Sequence, residues 1–389
     1  HLLKDLNAFS LTDPDYDRRL DAYGRLATDF LGSSSEESRG FHRFLVYQCC
    51  VDLASPNDLS LRHSAARALG RLLEEVSSQS VYDRGMDEGN IPPVPSIAAD
   101  AGVTLVKNVL MPEIRLRMAA SASQTVRQEH VEMVRLVARR LPKTFPELQS
   151  ITHEEDDLDF WCNVCHVQLH RRARAFERIR RICESTGLDA KLIENYLLVL
   201  IEKAVEDDDG KGGVSASVTD AAVGCLGAFD LEEKTFLRVL ERFLSLCTKG
   251  TGHRPGSVST VKGYLRAVSI LLEMNGAARC PEPPAAAGGR GHLLGDPAGD
   301  ARSTGNAGDP PVAPIARRAS HASSVAFVEF ASTKLIPFLH ANLEDRKRES
   351  VRGPVAASMV KLLKRLPEDT MRDQLPKILQ VVCNLLRAR

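Results

Sequence analysis

Apolar residues recur along most of the chain at helical spacing. The segment 61–72 reads Leu-Arg-His-Ser-Ala-Ala-Arg-Ala-Leu-Gly-Arg-Leu, with apolar or small residues at Leu61, Ala65, Ala68, Leu69 and Leu72. Offsets of three and four put these on one face of an α-helix. The small residues Ala65, Ala68 and Gly70 let a neighbouring helix approach closely. The pattern returns five times. Val126-Arg127 is followed by His130, Met133, Val134 and Val137, and Leu169-His170 by Ala173, Phe176 and Ile179. Val218-Thr219 is followed by Ala222, Cys225, Leu226, Gly227 and Phe229, and Val261-Lys262 by Leu265, Val268 and Leu272. Val351-Arg352 is followed by Val355, Met359, Val360 and Leu362.

The order of residues resembles the second helix of a HEAT repeat, and the spacing agrees. From 126 to 169 is 43 residues, from 169 to 218 is 49, and from 218 to 261 is 43. HEAT and armadillo units run about 40–47 residues. The longer intervals, 61 to 126 and 261 to 351, each contain a stretch rich in Gly and Pro. First helices are expected at Leu188–Ala204, Leu231–Cys247, Lys334–Leu343 (with Pro337) and Gln374–Leu386 (with Pro376). One such unit cannot bury its own apolar face, so the units must stack. The expected fold class is all-α, a HEAT/armadillo-like α-solenoid of superhelically stacked helix pairs. Residues 1–275 form HEAT-like repeats, 276–324 a disordered Gly/Pro/Ala-rich loop, and 325–389 further repeats, truncated at the end. The loop contains Pro283-Pro284-Ala285-Ala286-Ala287-Gly288-Gly289 and has too little apolar surface to offset its ordering entropy.

Composition narrows the partners. Lys plus Arg equals Asp plus Glu at 51 each, so any nucleic-acid contact must come from a local patch. Aromatic residues are only 5%, which favours helix-on-helix packing over an aromatic-rich β core. The nine cysteines are scattered through helical segments, as reduced thiols of a nuclear or cytosolic protein would be. The longest apolar runs, such as Tyr196 to Ile201, are far too short to span a bilayer. The chain opens on His1 and is still in a helical pattern at Arg389, so it reads as a piece of a longer chain.

Cys162-Asn163-Val164-Cys165-His166 matches the c-type haem attachment string, and Cys162, Cys165, His166 and His170 could be read as zinc ligands on one helix face. Haem attachment needs an export compartment that nothing here indicates, and one helix rarely wraps four ligands around an ion. The string lies within a helical pattern running from Leu158 to Cys183, which favours packed core thiols. No phosphate-binding glycine loop, nucleophile elbow or metalloprotease motif occurs. The chain therefore reads as a non-enzyme with no metal, cofactor or small-molecule substrate.

The same segment is strongly basic. His170, Arg171, Arg172, Arg174, Arg178 and Arg181 are the candidate RNA or phosphate contacts, with Arg171, Arg174 and Arg178 forming a ridge of guanidinium forks. The other reading is a solvated face that pairs with the acidic run Glu154–Asp159 or with another protein. Here the sequence resembles a known family. Asp157-Leu158-Asp159-Phe160-Trp161, then His166-Val167-Gln168-Leu169-His170-Arg171-Arg172-Ala173-Arg174-Ala175, closely resembles a signature of the down-regulated-in-metastasis family, the component 20 homologs of the small-subunit processome. Asp5–Phe9 with Asp13–Leu20, and Met359–Leu363 through Leu375-Pro376, are similar to the start and end of the same block.

The resemblance implies an internal fragment of a giant nucleolar HEAT-repeat protein. Its implied role is a non-catalytic scaffold in ribosome biogenesis, supporting the pre-rRNA cleavages that release the small-subunit rRNA. Its implied partners are pre-ribosomal small-subunit proteins, pre-rRNA and guide small nucleolar RNA. The implied location is the nucleus and nucleolus, with no membrane association. The competing class is another HEAT scaffold, a nuclear transport receptor or a phosphatase regulatory subunit.

Overall fold

A computed structural model of the chain describes residues 16–26, 36–82, 97–207, 214–249, 258–274, 324–344 and 350–387. Among these residues every regular element is a helix. The α-helices are α1 (Tyr16–Arg25), α2 (Glu36–Leu53), α3 (Leu59–Tyr82), α4 (Ile97–Leu105), α5 (Met111–Ala120) and α6 (Gln124–Arg140). There follow α7 (Phe160–Asn163), α8 (Leu169–Ser185), α9 (Ala190–Leu192), α10 (Leu198–Glu206) and α11 (Val214–Leu226). The last are α12 (Glu233–Lys249), α13 (Val258–Met274), α14 (Val325–Phe330), α15 (Ile336–Glu344), α16 (Arg352–Leu363) and α17 (Glu368–Arg387). None of the described helices is long and apolar enough to cross a membrane.

The six recurring segments lie on α3, α6, α8, α11, α13 and α16, and their apolar positions are core except the exposed Val360 and the half-buried Leu169 and Ala173. The motif helices pack on one another in chain order: α3 on α6, α8 on α11, α11 on α13, and α13 on α16. Cross-links run the same way, with Cys225 Sγ donating to Phe176 O at 2.9 Å between α11 and α8 and Lys361 pairing with Glu273 at 2.6 Å between α16 and α13. The intervening helices form a second series, α2 on α5, α5 on α10, and α15 on α17. Within it Arg242 of α12 reaches Glu202 of α10 at 2.7 Å. Gly263 marks a close approach between helices. A Cβ there would lie 2.6 Å from Val205 of α10, so α13 can sit this near only with glycine.

The first helices are less regular than the sequence pattern implies. Three contain a π-turn, at Val106–Leu110, Ile193–Leu197 and Ala331–Leu335. Pro112 and Pro337 follow two of them closely. A proline lacks an N–H and crowds the carbonyl four residues back, and a widened turn relieves both problems. No proline follows the third, so that account does not cover it. The helix expected at Lys334–Leu343 is the end of a longer stretch that starts at Ser324, whose Oγ accepts from Phe327 N at 3.1 Å. The loop expected at 276–324 otherwise lies outside the described residues, as does the resemblance at Asp5–Phe9.

Two buried charges give testable consequences. Arg365 is buried, and none of its three guanidinium nitrogens has a hydrogen bond. It lies over the rings of Phe236 and Phe327 at 5.6 and 5.7 Å, and burial pushes its pKa down to about 10. An unpaired buried cation costs more than these ring contacts return. Arg365→Met should therefore raise stability by about 1–3 kcal/mol, read as a higher midpoint in urea at unchanged slope. A lower midpoint would mean that the guanidinium has a stabilising partner.

Glu202 is buried beside Arg242, and burial raises its carboxyl pKa to about 7 despite that partner. Between the unfolded carboxyl value, about 4.3, and about 7, the folded chain keeps a proton that the unfolded chain releases. Folding stability should thus fall as pH rises through this window. Glu202→Gln should flatten that part of the stability–pH curve. An unchanged slope would assign it to other groups.

Candidate nucleic-acid interface

The candidate segment is not one continuous helix. The stretch expected from Leu158 to Cys183 breaks into α7 and α8, with a turn at 164–168. The cause is local hydrogen bonding from short polar side chains, which offers the backbone an alternative to the helix. Asp159 caps α7, its Oδ1 accepting from Cys162 N at 3.2 Å. Asn163 Nδ2 donates to the carbonyls of Asp156 and Asp159 at 2.6 and 2.7 Å. Gln168 N donates to His166 Nδ1 at 3.0 Å. The break ends the reading of Cys162, Cys165, His166 and His170 as one helix face. Cys165 is buried and its thiol pKa is pushed up to about 11 by that burial. No cluster of metal-ligating side chains occurs among the described residues.

Asp159 is the centre of this region. Its side chain is fully buried, and Oδ2 accepts from Arg135 Nε at 3.4 Å and Arg139 Nη2 at 3.1 Å, both from α6. Arg135 also pairs with Asp156. The next two residues fill the core. Phe160 meets Phe176 of α8 edge-on at 6.0 Å, and Trp161 meets Tyr196 at 5.8 Å. Trp161 Nε1 donates to Thr152 Oγ1 at 3.1 Å. Sequence reasoning missed Arg135 and Arg139. Their signal was two arginines one turn apart on a helix that precedes an acidic run.

The six candidate contacts divide into three groups. His170, Arg174 and Arg181 are exposed. Arg171 and Arg178 are tied to the acidic run: Arg171 pairs with Asp157 at 2.9 Å, and Arg178 Nη1 donates to the carbonyls of Leu158 at 2.5 Å and Asp157 at 3.2 Å. The pairing with the acidic run thus holds for Arg171 and Arg178, while His170, Arg174 and Arg181 are left exposed. Arg172 belongs to neither, because it is only 7% exposed and points inward. Its Nε donates to His166 O at 2.6 Å.

This corrects the register of the third unit. Arg62 of α3 donates to the carbonyls of Ser55 and Pro56. Arg127 of α6 donates to those of Ser121 and Ala122, and Thr219 of α11 to that of Ala204. Each is buried near the start of a motif helix: Thr219 bonds back to α10, and Arg62 and Arg127 close the turn before their helix. Arg172 does the same, and the residues three, four and seven further on, Ala175, Phe176 and Ile179, are buried like Ala222, Val223 and Leu226 after Thr219. The unit therefore begins at Arg171-Arg172, two residues later than the sequence pattern placed it. The run of four basic residues at 170–174 made His170 look like the turn position. Beyond α8 the chain turns at Gly187, whose φ of 76° is the left-handed value that favours glycine after a helix.

A family model described as U3 small nucleolar RNA-associated protein 20, N-terminal, matches residues 1–122, and one described as U3 small nucleolar RNA-associated protein 20 domain matches residues 342–389. Two relatives of the chain carry the name U3 small nucleolar RNA-associated protein 20. The Saccharomyces cerevisiae protein is 23% identical over 397 aligned positions, and the Schizosaccharomyces pombe protein 20% over 399. Both alignments cover 100% of this chain. The chain is similar to the U3 small nucleolar RNA-associated protein 20 family over residues 1–122 and 342–389. It spans 14% of the length of each of these relatives. The Asp157–Arg178 region falls between the two family-model matches, in the part of the chain that the whole-length alignments to the family cover.

The geometry separates two neighbouring aspartates of this region. Asp159→Ala leaves Arg135 and Arg139 without their buried partner and removes the α7 cap, so it should cost about 3–5 kcal/mol. Asp157 is 77% exposed in its pair with Arg171, so Asp157→Ala should cost less than about 1 kcal/mol. Urea unfolding of the two variants, monitored by circular dichroism, measures both. Equal losses would refute the buried-hub assignment.

Proposed function

We propose that this chain is a non-catalytic scaffold segment acting in ribosome biogenesis within the small-subunit processome of the nucleolus. The observation that carries this reading is the end-to-end alignment with two relatives named for association with the U3 small nucleolar RNA. Its helices would stack as a HEAT-type solenoid. Two series of packed helices, the turn-closing Arg62, Arg127 and Arg172, and the bond from Thr219 back to α10 support that arrangement. The chain offers extended helical surfaces to proteins of the pre-ribosomal particle, to pre-rRNA and to guide RNA, while cleavage is done elsewhere.

Direct RNA contact is assigned to the free residues of α8. Steps of four and seven residues carry His170, Arg174 and Arg181 along one stripe of the helix. The stripe also carries Glu177, which is exposed, so its charge is two guanidinium groups against one carboxylate. Two forks suffice for two phosphates at the spacing of one strand, but not for tight binding alone. Arg171 and Arg178 would flank the strand without leaving the acidic loop.

The test uses the full-length parent protein, tagged in cells, crosslinked to RNA with ultraviolet light and fractionated on gradients. Crosslinks on the U3 small nucleolar RNA and on the small-subunit part of the pre-rRNA, with sedimentation alongside large pre-ribosomal particles, are expected. Absence of both would overturn the processome reading. Arg174→Glu with Arg181→Glu should lower crosslinking within this segment at least severalfold without changing sedimentation. Unchanged crosslinking would reassign the α8 stripe to a protein partner.

A further inference from the structure

The arginine that the surface lost points to a second site. We propose that a cavity between α6, α8, α10 and α11 binds one compact oxyanion of the phosphate class through Arg172, Arg127 and Lys203. The cavity is lined by these three cations together with Asp207, Cys165 and Gln124, and by apolar side chains that include Phe176 and Val218. It is an open recess with about 290 Å³ of space between its walls, solvent included.

Charge balance is the first argument. Arg127 is 2% exposed, with Nη1 on the carbonyls of Ser121 and Ala122 and Nη2 on Asp207. Lys203 pairs at 2.6 Å with Glu206, just outside the cavity. Those two carboxylates answer two of the three cations. Arg172 remains: its Nε is spent on His166 O, and its two terminal amino groups make no hydrogen bond among the described residues. Arg172 is 7% exposed, and its terminal amino groups reach the water of the cavity with only the shared carboxylate of Asp207 nearby. A guanidinium in a recess with no carboxylate of its own favours an anion there.

Size and shape set the ligand class. A phosphate would seat one oxygen in the recess against the Arg172 fork and leave its remaining oxygens in the mouth. A planar guanidinium suits such oxygens by paired hydrogen bonds. A carboxylate, Asp207, stands on the same rim and would repel a dianion, so the monoanion or a singly charged ester oxygen pair is the better fit. The site is separate from the exposed α8 stripe and does not depend on the RNA reading.

The test is calorimetric titration of the 389-residue chain with inorganic phosphate, at ionic strength held constant with sodium chloride. One saturable site per chain is expected. Arg172→Met should weaken it at least tenfold, and Lys203→Gln severalfold. Arg174→Gln with Arg181→Gln should leave it unchanged. Because Arg172 also closes a turn, circular dichroism checks its fold, and Lys203→Gln carries the test if that variant unfolds. O-Phosphoserine as titrant separates the sources: tighter binding than inorganic phosphate assigns a phosphomonoester, weaker binding a free phosphate. The proposal is overturned if the parent chain shows no saturable binding, if both cavity variants bind as it does, or if the surface variant loses binding equally.

Discussion

A single buried carboxylate organises the middle of this chain. Asp159 has no access to solvent, yet it carries a charge that must be answered from within. Arg135 and Arg139 answer it from α6, and the first turn of α7 answers it with a backbone N–H. Satisfying that charge fixes where α7 starts. Once α7 starts there, Phe160 and Trp161 have no freedom in direction. Their rings meet Phe176 and Tyr196, and so tie α7 to α8 and to the π-turn before α10. The apolar packing here is downstream of an electrostatic requirement. Such an arrangement contributes more to specifying one structure than to net stability, since a buried pair repays little beyond its desolvation cost.

The same logic recurs at lower cost elsewhere. The motif helices α3, α6 and α8 begin after turns whose carbonyls are not all satisfied by the backbone. A buried guanidinium near the helix start supplies donors there, at Arg62, Arg127 and Arg172, and the buried Thr219 hydroxyl bonds back from α11 to α10. The arginine side chain lies along the helix that it begins, so closing the turn also fixes the angle between the paired helices. Close approach does the rest. Gly263 lets α13 settle against Val205 where any Cβ would collide, and the Cys225 thiol bonds a carbonyl of the neighbouring helix. Cys49, Cys50, Cys165, Cys225 and Cys247 are buried thiols that act as small core residues.

What could be read from the sequence was periodic, and what could not was local. The apolar faces of α3, α6, α11, α13 and α16 fall at the residues the pattern marks, because burial on one helix face leaves its imprint at every turn. The break between Asn163 and Leu169 leaves no such imprint. Val164, Cys165 and Val167 continue the apolar alternation, and only the side-chain bonds of Asp159, Asn163 and His166 interrupt it. The register of the third unit failed for a related reason. Four basic residues occupy 170, 171, 172 and 174, and composition alone cannot say which of them turns inward. The absence of Arg172 from the surface is a fact of three dimensions.

That absence bears on how charge is distributed along such a chain. Arginine is drawn to one short stretch of sequence, yet its members do three different things within about three turns of α8. Arg172 closes a turn and faces a cavity, Arg171 and Arg178 hold the acidic loop, and Arg174 and Arg181 face solvent. A count of basic residues would assign all of them to nucleic acid. Burial and partner geometry leave two. The surface that can meet a phosphate strand is therefore narrow, and its affinity must be modest at physiological ionic strength, where each neutralised phosphate adds only a salt-sensitive increment. Any phosphate strand lying along α8 would meet two guanidinium groups against one carboxylate, so this helix alone would not hold it tightly.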